Sequence, residues 1–182
     1  MSERITGHTE LIGLMAYPIR HSSSPAMQNE AFAKLGYDYA YLAFEVGADE
    51  IEDAVNAIRT LKMRGSNVSM PNKTLVGQYL DELSPAAEMC GAVNTIVNDH
   101  GHLTGHITDG IGFMAALKDN NIDAIGKKMT IVGAGGAATA IEIQAALDGV
   151  GEIVIFNRKD EFWGRAVSTV EKINTRTSSH AV

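Results

Sequence analysis

The sequence predicts an α/β protein, with an open, mainly parallel N-terminal α/β layer followed by a second, incomplete βαβ domain. Three observations carry that expectation. Strand-length apolar runs alternate with stretches of helical spacing through about residue 108. A glycine-rich turn, Gly133 to Ala137, separates a short apolar run from a longer helical stretch. The chain has 182 residues, 45% hydrophobic and 20% charged, which suits one large folded domain or two small ones.

In chain order, Leu11 to Ala16 is an apolar run that ends before Pro18, as a first strand would. Ser24 and Pro25 then supply a cap and a first helical residue. Met27, Ala31 and Leu35 continue a helical stripe to Gly36. Tyr37 to Val46 reads as a strand. Asp49 is placed to cap a second helix, in which Ile51, Ala54, Val55, Ile58 and Leu61 keep the amphipathic spacing and Gly65 ends it. Asn67 to Met70 is a short strand, and Pro71-Asn72-Lys73 opens a further helix. Pro85 to Cys90 is a short helix closed by Gly91. Ala92 to Val97 and Leu103 to Ile107 flank Asn98-Asp99-His100-Gly101 as a hairpin. Ile111 to Asn120 is a connecting helix. Lys128 to Val132, Ala138 to Leu147 and Ile153 to Phe156 form one βαβ unit, and Phe162 to Ile173 is the next helix. Residues 175–182 read as a polar, frayed end. The expected domains are 1–108, a connecting helix over 109–125, and 126–182.

Several classes are excluded at this level. The formal net charge is −7, from 15 basic and 22 acidic residues, without a basic run, so nucleic acid is not an expected partner. The single cysteine, Cys90, cannot pair internally and suits a reducing, cytoplasmic setting. The N-terminus lacks a signal-peptide pattern. The most apolar stretch, Met129 to Leu147, is interrupted by glycines, Glu142 and Gln144, so no membrane span is expected. His100, His102 and His106 straddle the hairpin without cysteine companions, so no metal site is assigned.

Gly133-x-Gly135-x-x-Ala138 fits the dinucleotide fingerprint. Gly133 permits the tight turn, Gly135 lets a pyrophosphate approach the backbone, and Ala138 keeps helix and strand close. The helix N-terminus then offers N–H groups and the positive end of its dipole to the phosphates. This makes the second domain Rossmann-type. Asn157 lies 24 residues after Gly133, near the position that reads the ribose. There, Arg158 and Lys159 suit a 2′-phosphate, whereas Asp160 suits a free ribose diol. The mixture favours NAD with tolerance of NADP; the alternative is a solvated polar turn.

Other residues have both plain and functional readings. Ser22 and Ser24 can cap a helix or together donate to a carboxylate. Lys73, at a strand end, is a surface lysine or, partly desolvated, a proton shuttle. Asp109 is a helix cap or a partner to Lys73. Asn94 is a satisfied core amide or a reader of hydroxyl groups.

Taken together, these segments resemble the shikimate/quinate dehydrogenase family. The carrying residues are Pro18-Ile19-Arg20-His21-Ser22-x-Ser24-Pro25, Asn67-Val68-Ser69-x-Pro71-x-Lys73, Gly91-Ala92-Val93-Asn94-Thr95, Thr108-Asp109-Gly110-x-Gly112, Gly133-Ala134-Gly135-Gly136-Ala137 and Asn157-Arg158. The resemblance implies that the first domain binds shikimate or quinate. Ser22 and Ser24 would hold the carboxylate, Asn94 and Asp109 the ring hydroxyls, and Ser69 stands where many relatives have threonine. Lys73 and Asp109 would be the catalytic pair, with Lys73 taking the hydroxyl proton as hydride leaves for a nicotinamide. The glycine turn with Asn157, Arg158, Lys159 and Asp160 would hold NAD or NADP, and Asp160 resembles the branch that uses both. The implied setting is a cleft between domains, in cytoplasmic aromatic amino acid biosynthesis (the shikimate pathway).

There are two departures. Ile107 stands where many relatives carry asparagine, and the family runs on to complete the nucleotide-binding sheet. The resemblance therefore implies a missing C-terminal part, with a second sheet of only two strands, an open edge and an uncovered face. A homodimer covering that sheet is an accompanying expectation. A rival reading is a non-catalytic fragment that binds ligand or dinucleotide. A dehydrogenase of the methylenetetrahydrofolate type is a further rival, which gives the paired serines no role.

Overall fold

The computed structural model describes residues 5–182 and divides them into two compact units. The first runs up to Ser84 and takes in Gly91–His106; the second comprises Pro85–Cys90 and Ile107–Val182.

The first unit holds β1 (Glu10–Ala16), α1 (Ser24–Leu35), β2 (Tyr39–Glu45), α2 (Ile51–Thr60), β3 (Gly65–Val68), β4 (Glu82–Leu83), β5 (Thr95–Asp99) and β6 (His102–His106). Its strands lie in the order β2-β1-β3-β5-β6-β4. β1 pairs in parallel with β2 and β3, as two β–helix–β crossovers require. The β5–β6 hairpin then makes its half of the sheet antiparallel, with β4 parallel to β6 at the edge. The hairpin turns at His100 and Gly101, both at positive φ (51° and 101°), the pattern whose twist matches paired strands. β1 is central, and Gly13 to Ala16 are all buried. Leu14 and Ala16 pack with Ile19 and Tyr41 in one apolar cluster. Ile51, Val55 and Ile58 turn the buried face of α2 inward.

Several local expectations are corrected here. α1 has no fully buried residue, and Met27 and Leu35 are exposed. Its cap position is Ser23, not Ser24, which is already the first helical residue. Glu50, not Asp49, occupies the cap position of α2, and neither helix has a side-chain cap bond. α2 stops at Thr60, so Leu61 lies past its end, exposed, with Lys62 at φ 53°. Gly65 begins β3 instead of ending a helix, since a Cβ there would collide with the Ile96 carbonyl on β5. The stretch after Pro71 forms two 3-10 turns, Asn72–Thr74 and Val76–Tyr79, and not an α-helix. Asn72 is pulled inward there, its Nδ2 donating to Val46 O at 2.9 Å.

The second unit holds α3 (Pro85–Cys90), α4 (Asp109–Asp119), β7 (Lys128–Val132), α5 (Gly136–Asp148), β8 (Glu152–Phe156), α6 (Trp163–Arg176) and β9 (His180–Ala181). The end of the chain is therefore not frayed. β9 pairs in parallel with β8, giving three strands in the order β7-β8-β9 instead of two. Buried Ser179 secures it by donating to Ala146 O and Val150 O. Met129, Ile131, Ile153 and Ile155 share one sheet face and pack on Ala145, Ala146, Val170 and Ile173. The opposite face presents Val132 (85% exposed) and Phe156 (60% exposed).

Candidate functional site

In the first unit, Ser22, Ser24, Ser69 and Lys73 lie in the segments that leave the C-terminal ends of β1 and β3, with Ser24 opening α1 and Lys73 in the first 3-10 turn. That end of a parallel layer is where open α/β sheets bind ligands. The two segments are tied together: Tyr17 N donates to Met70 O at 3.1 Å, and Ser69 N to Met15 O at 3.0 Å. Ser22 Oγ accepts the Ser24 N–H at 3.1 Å, so Ser22 supplies the local turn bond expected of Ser24. Lys73 is half-buried, and its carbonyl accepts from Val93 N at 2.8 Å. Together with the buried Asn72 side chain, this fixes the Lys73 backbone on both sides.

Asn94 precedes β5 rather than lying within a strand. Its N–H donates to His106 O (2.9 Å) and its O accepts from Val68 N (2.8 Å). Its side chain belongs to a polar cluster that sequence reasoning missed. Tyr41 OH donates to Asn67 Oδ1 (2.8 Å), Asn67 Nδ2 to Thr95 Oγ1 (3.1 Å), and Thr95 Oγ1 to Asn94 Oδ1 (3.0 Å). The available signal was Asn67, an amide in a strand otherwise fit for the core. Burial pushes the Tyr41 phenol up to about 12, so it stays a donor at neutral pH.

In the second unit, Asp109 is the first residue of α4, after Thr108 in the cap position, and it is exposed. The following Gly110 is needed for packing, because a Cβ there would collide with the Ala140 carbonyl on α5. The glycine turn joins β7 to α5 as expected, with the helix starting two residues early at Gly136. Gly133 has φ 115° and donates to Phe156 O at 2.7 Å; Ala134 is buried. No protein atom lies within 4 Å of a Cβ placed on Gly133, Gly135 or Gly136, and no side chain caps α5. Its first N–H groups thus face room for a pyrophosphate, so the turn fits a dinucleotide.

Asn157, Arg158, Lys159 and Asp160 follow β8. Asp160 is engaged within its own loop: Oδ1 accepts from Asn157 Nδ2 (3.0 Å) and Phe162 N (2.9 Å), and Oδ2 from Arg158 Nε (2.7 Å). The Arg158 bond, then that from Phe162, holds its carboxyl below the usual range. Lys159 Nζ sits over the Trp163 ring, 5.6 Å from its centroid. Elsewhere, among the described residues, no cluster of three metal-ligating side chains occurs and no helix is long and apolar enough to cross a membrane. Burial pushes the Cys90 thiol up to about 12, which suits a structural role.

Comparison with known proteins bears on this geometry. Residues 14–96 match the family model for the shikimate dehydrogenase substrate binding domain. The chain is 70% identical over 181 residues to a shikimate dehydrogenase (NADP(+)) of Listeria innocua, covering 100% of this chain and 62% of that protein. Among solved structures, shikimate 5-dehydrogenase from Listeria monocytogenes, in complex with shikimate and NAD, superimposes with a TM-score of 0.96 at 69% identity. That match covers 100% of this chain and 63% of the other. A ligand-free 5-ketofructose reductase of a Gluconobacter strain matches with a TM-score of 0.89 at 34% identity, over 97% of this chain and 62% of that one. The chain thus spans about three-fifths of the length of the curated relatives it matches.

Proposed function

We propose that the chain is a member of the shikimate dehydrogenase family and takes part in NAD(P)-dependent interconversion of shikimate and its 3-dehydro form. Quinate is the second candidate substrate. The observation that carries the reading is the convergence of Ser22, Ser24, Ser69 and Lys73 on two hydrogen-bonded segments at one end of a parallel layer.

In this reading Ser22 and Ser24 donate to the ring carboxylate, and Ser69, Asn94 and Asp109 read ring hydroxyls. The Lys73 amine takes the proton of the hydroxyl being oxidised, and returns it in the reverse direction. Gly133, Ala134, Gly135, Gly136 and Ala137 hold the pyrophosphate, and Asn157, Arg158, Lys159 and Asp160 border the adenosine ribose. A bound nicotinamide supplies the hydride acceptor. Shikimate-pathway metabolism and a cytoplasmic location follow from the same reading, and a homodimer covers the exposed face around Val132 and Phe156. Sedimentation as a compact monomer at micromolar concentration would remove the dimer.

The test is absorbance of reduced nicotinamide with shikimate or quinate and either oxidised cofactor. Lys73→Ala is expected to lower turnover at least about 100-fold while ring-acid binding persists; equal rates would remove Lys73 as the base. One further reading is a binding module without turnover. Saturable shikimate binding with no hydride transfer would select it. Asp160→Ser frees Arg158 from its carboxylate partner and is expected to shift use toward NADP; an unchanged NAD-to-NADP ratio would refute that role.

A further inference from the structure

The three cations between Asn157 and Arg165 each meet a partner from the same short segment. Arg158 Nε donates to Asp160 Oδ2 at 2.7 Å. Lys159 Nζ sits 5.6 Å from the centroid of the Trp163 ring, and the Arg165 guanidinium 5.5 Å from that of Phe162. The backbone arranges these pairs. Asp160 N donates to Arg158 O (2.8 Å) and Trp163 N to Asp160 O (3.1 Å), so the segment folds back and Lys159 meets the indole at the start of α6. A cation this close is drawn to the electron-rich face of an aromatic ring, most strongly to that of tryptophan. Trp163 is 40% exposed, so the contact lies at the surface, where a competing anion can reach Lys159.

NAD and NADP differ by one 2′-phosphate, which is close to a dianion at neutral pH. We propose that Trp163 is a specificity-determining residue for the cofactor: its ring holds the Lys159 ammonium, which a 2′-phosphate must pull off the indole and a free ribose diol leaves undisturbed. This rests on the reading of the loop after β8 as the border of the adenosine ribose. Trp163 thus acts on NADP through Lys159 and favours NAD without touching either. Asp160 restrains Arg158 in the same sense but by a different chemistry. An exposed cation–π contact is weaker than the charge-assisted Arg158–Asp160 bond, so Lys159 is the cation that a phosphate recruits first.

The test is calorimetric titration of oxidised NADP and NAD into the wild-type chain, Trp163→Leu, Lys159→Met and the double variant. The quantity read is the ratio of the two affinities, which a fraction of unfolded chain does not alter. Trp163→Leu is expected to shift that ratio toward NADP about two- to fivefold, the worth of one exposed cation–π contact. Lys159→Met should shift it toward NAD, and adding Trp163→Leu to it should change nothing further. An unchanged ratio in Trp163→Leu, or the same shift with and without Lys159, overturns the proposal. So does a fall in both affinities that leaves the ratio as it was, since the ring then carries the adenine. A reading without ligand is independent of the cofactor site. Trp163 is the only tryptophan in the chain, so its emission reports the contact. The emission maximum should move in Lys159→Met and return in Lys159→Arg, which keeps the charge; identical emission in wild type and Lys159→Met also overturns the proposal. If the wild-type chain binds neither nucleotide while the emission pattern holds, the cofactor reading fails, the proposal falls with it, and only the contact stands.

Discussion

Glu142 is fully buried on α5, and neither carboxylate oxygen has a hydrogen-bond partner. Burial pushes its carboxyl up from 4.5 to about 7. A group whose folded value is raised binds its proton more tightly in the folded state, so its favourable contribution is complete below the unfolded value. Stability should fall as pH rises from about 4.5 to about 7 and level off above that. By linkage the difference is on the order of 3 kcal/mol. Glu142→Met is therefore expected to raise the neutral-pH denaturation midpoint and flatten this dependence in urea titrations at several pH values. A variant as pH-dependent as wild type would refute the assignment. In the sequence, Glu142 registers only as a polar break in an apolar stretch, because periodicity does not reveal that α3, α4 and α6 all pack against α5. Lys73 and the glycines stand out in the sequence, since each follows a strand and lies in a turn. Tyr41 and Thr95 do not, because their bonds to Asn67 arise from pairing β1 with β2 and β3 with β5, contacts remote in sequence.

At the level of elements, α4 offers a paired test. Gly110 faces Ala140 and Gln144 of α5 so closely that a Cβ has no room, whereas Gly112 has no protein atom within 4 Å of one. Gly110→Ala is expected to destabilise the second unit by about 1–3 kcal/mol through overpacking. Gly112→Ala should stabilise it by up to about 1 kcal/mol through helix propensity. Equal effects in urea denaturation would show that this packing is wrong. In the first unit, Gly65→Ala is expected to disrupt the β3–β5 pairing, read as lost amide-exchange protection at Ser66 and Asn67; retained protection would contradict it. The strand–helix alternation was legible because short apolar runs and glycine stops mark it plainly. Helix ends were less so. Glu50 replaces Asp49, and Ser23 replaces Ser24, in cap positions that make no side-chain bond, so the chemistry used to find caps had nothing to detect. The two 3-10 turns after Pro71 escaped because Asn72 bonds to Val46, 26 residues earlier in the chain.

For the molecule as a whole, one short helix crosses the boundary that the sequence suggests. α3 lies before the β5–β6 hairpin in sequence yet packs in the second unit, where Arg176 Nη2 donates to Glu88 Oε2 at 2.8 Å and Lys172 Nζ to Met89 O at 2.8 Å. Sequence order cannot show such an exchange, because both ion pair and carbonyl contact span more than 80 residues. The last residues were misread as frayed for a related reason: β9 is polar and two residues long, and only β8 beside it makes it a strand. The central claim is that the first unit binds a hydroxylated ring acid at the segments of Ser22, Ser24, Ser69 and Lys73, with Asn94 beside them. Titrating shikimate into the wild-type chain and into Asn94→Ala tests it most directly. Saturable binding, weakened at least about tenfold by the substitution, is the expected result for loss of a buried polar contact to a hydroxylated ligand. No binding by the wild-type chain, or equal binding by both, would contradict it.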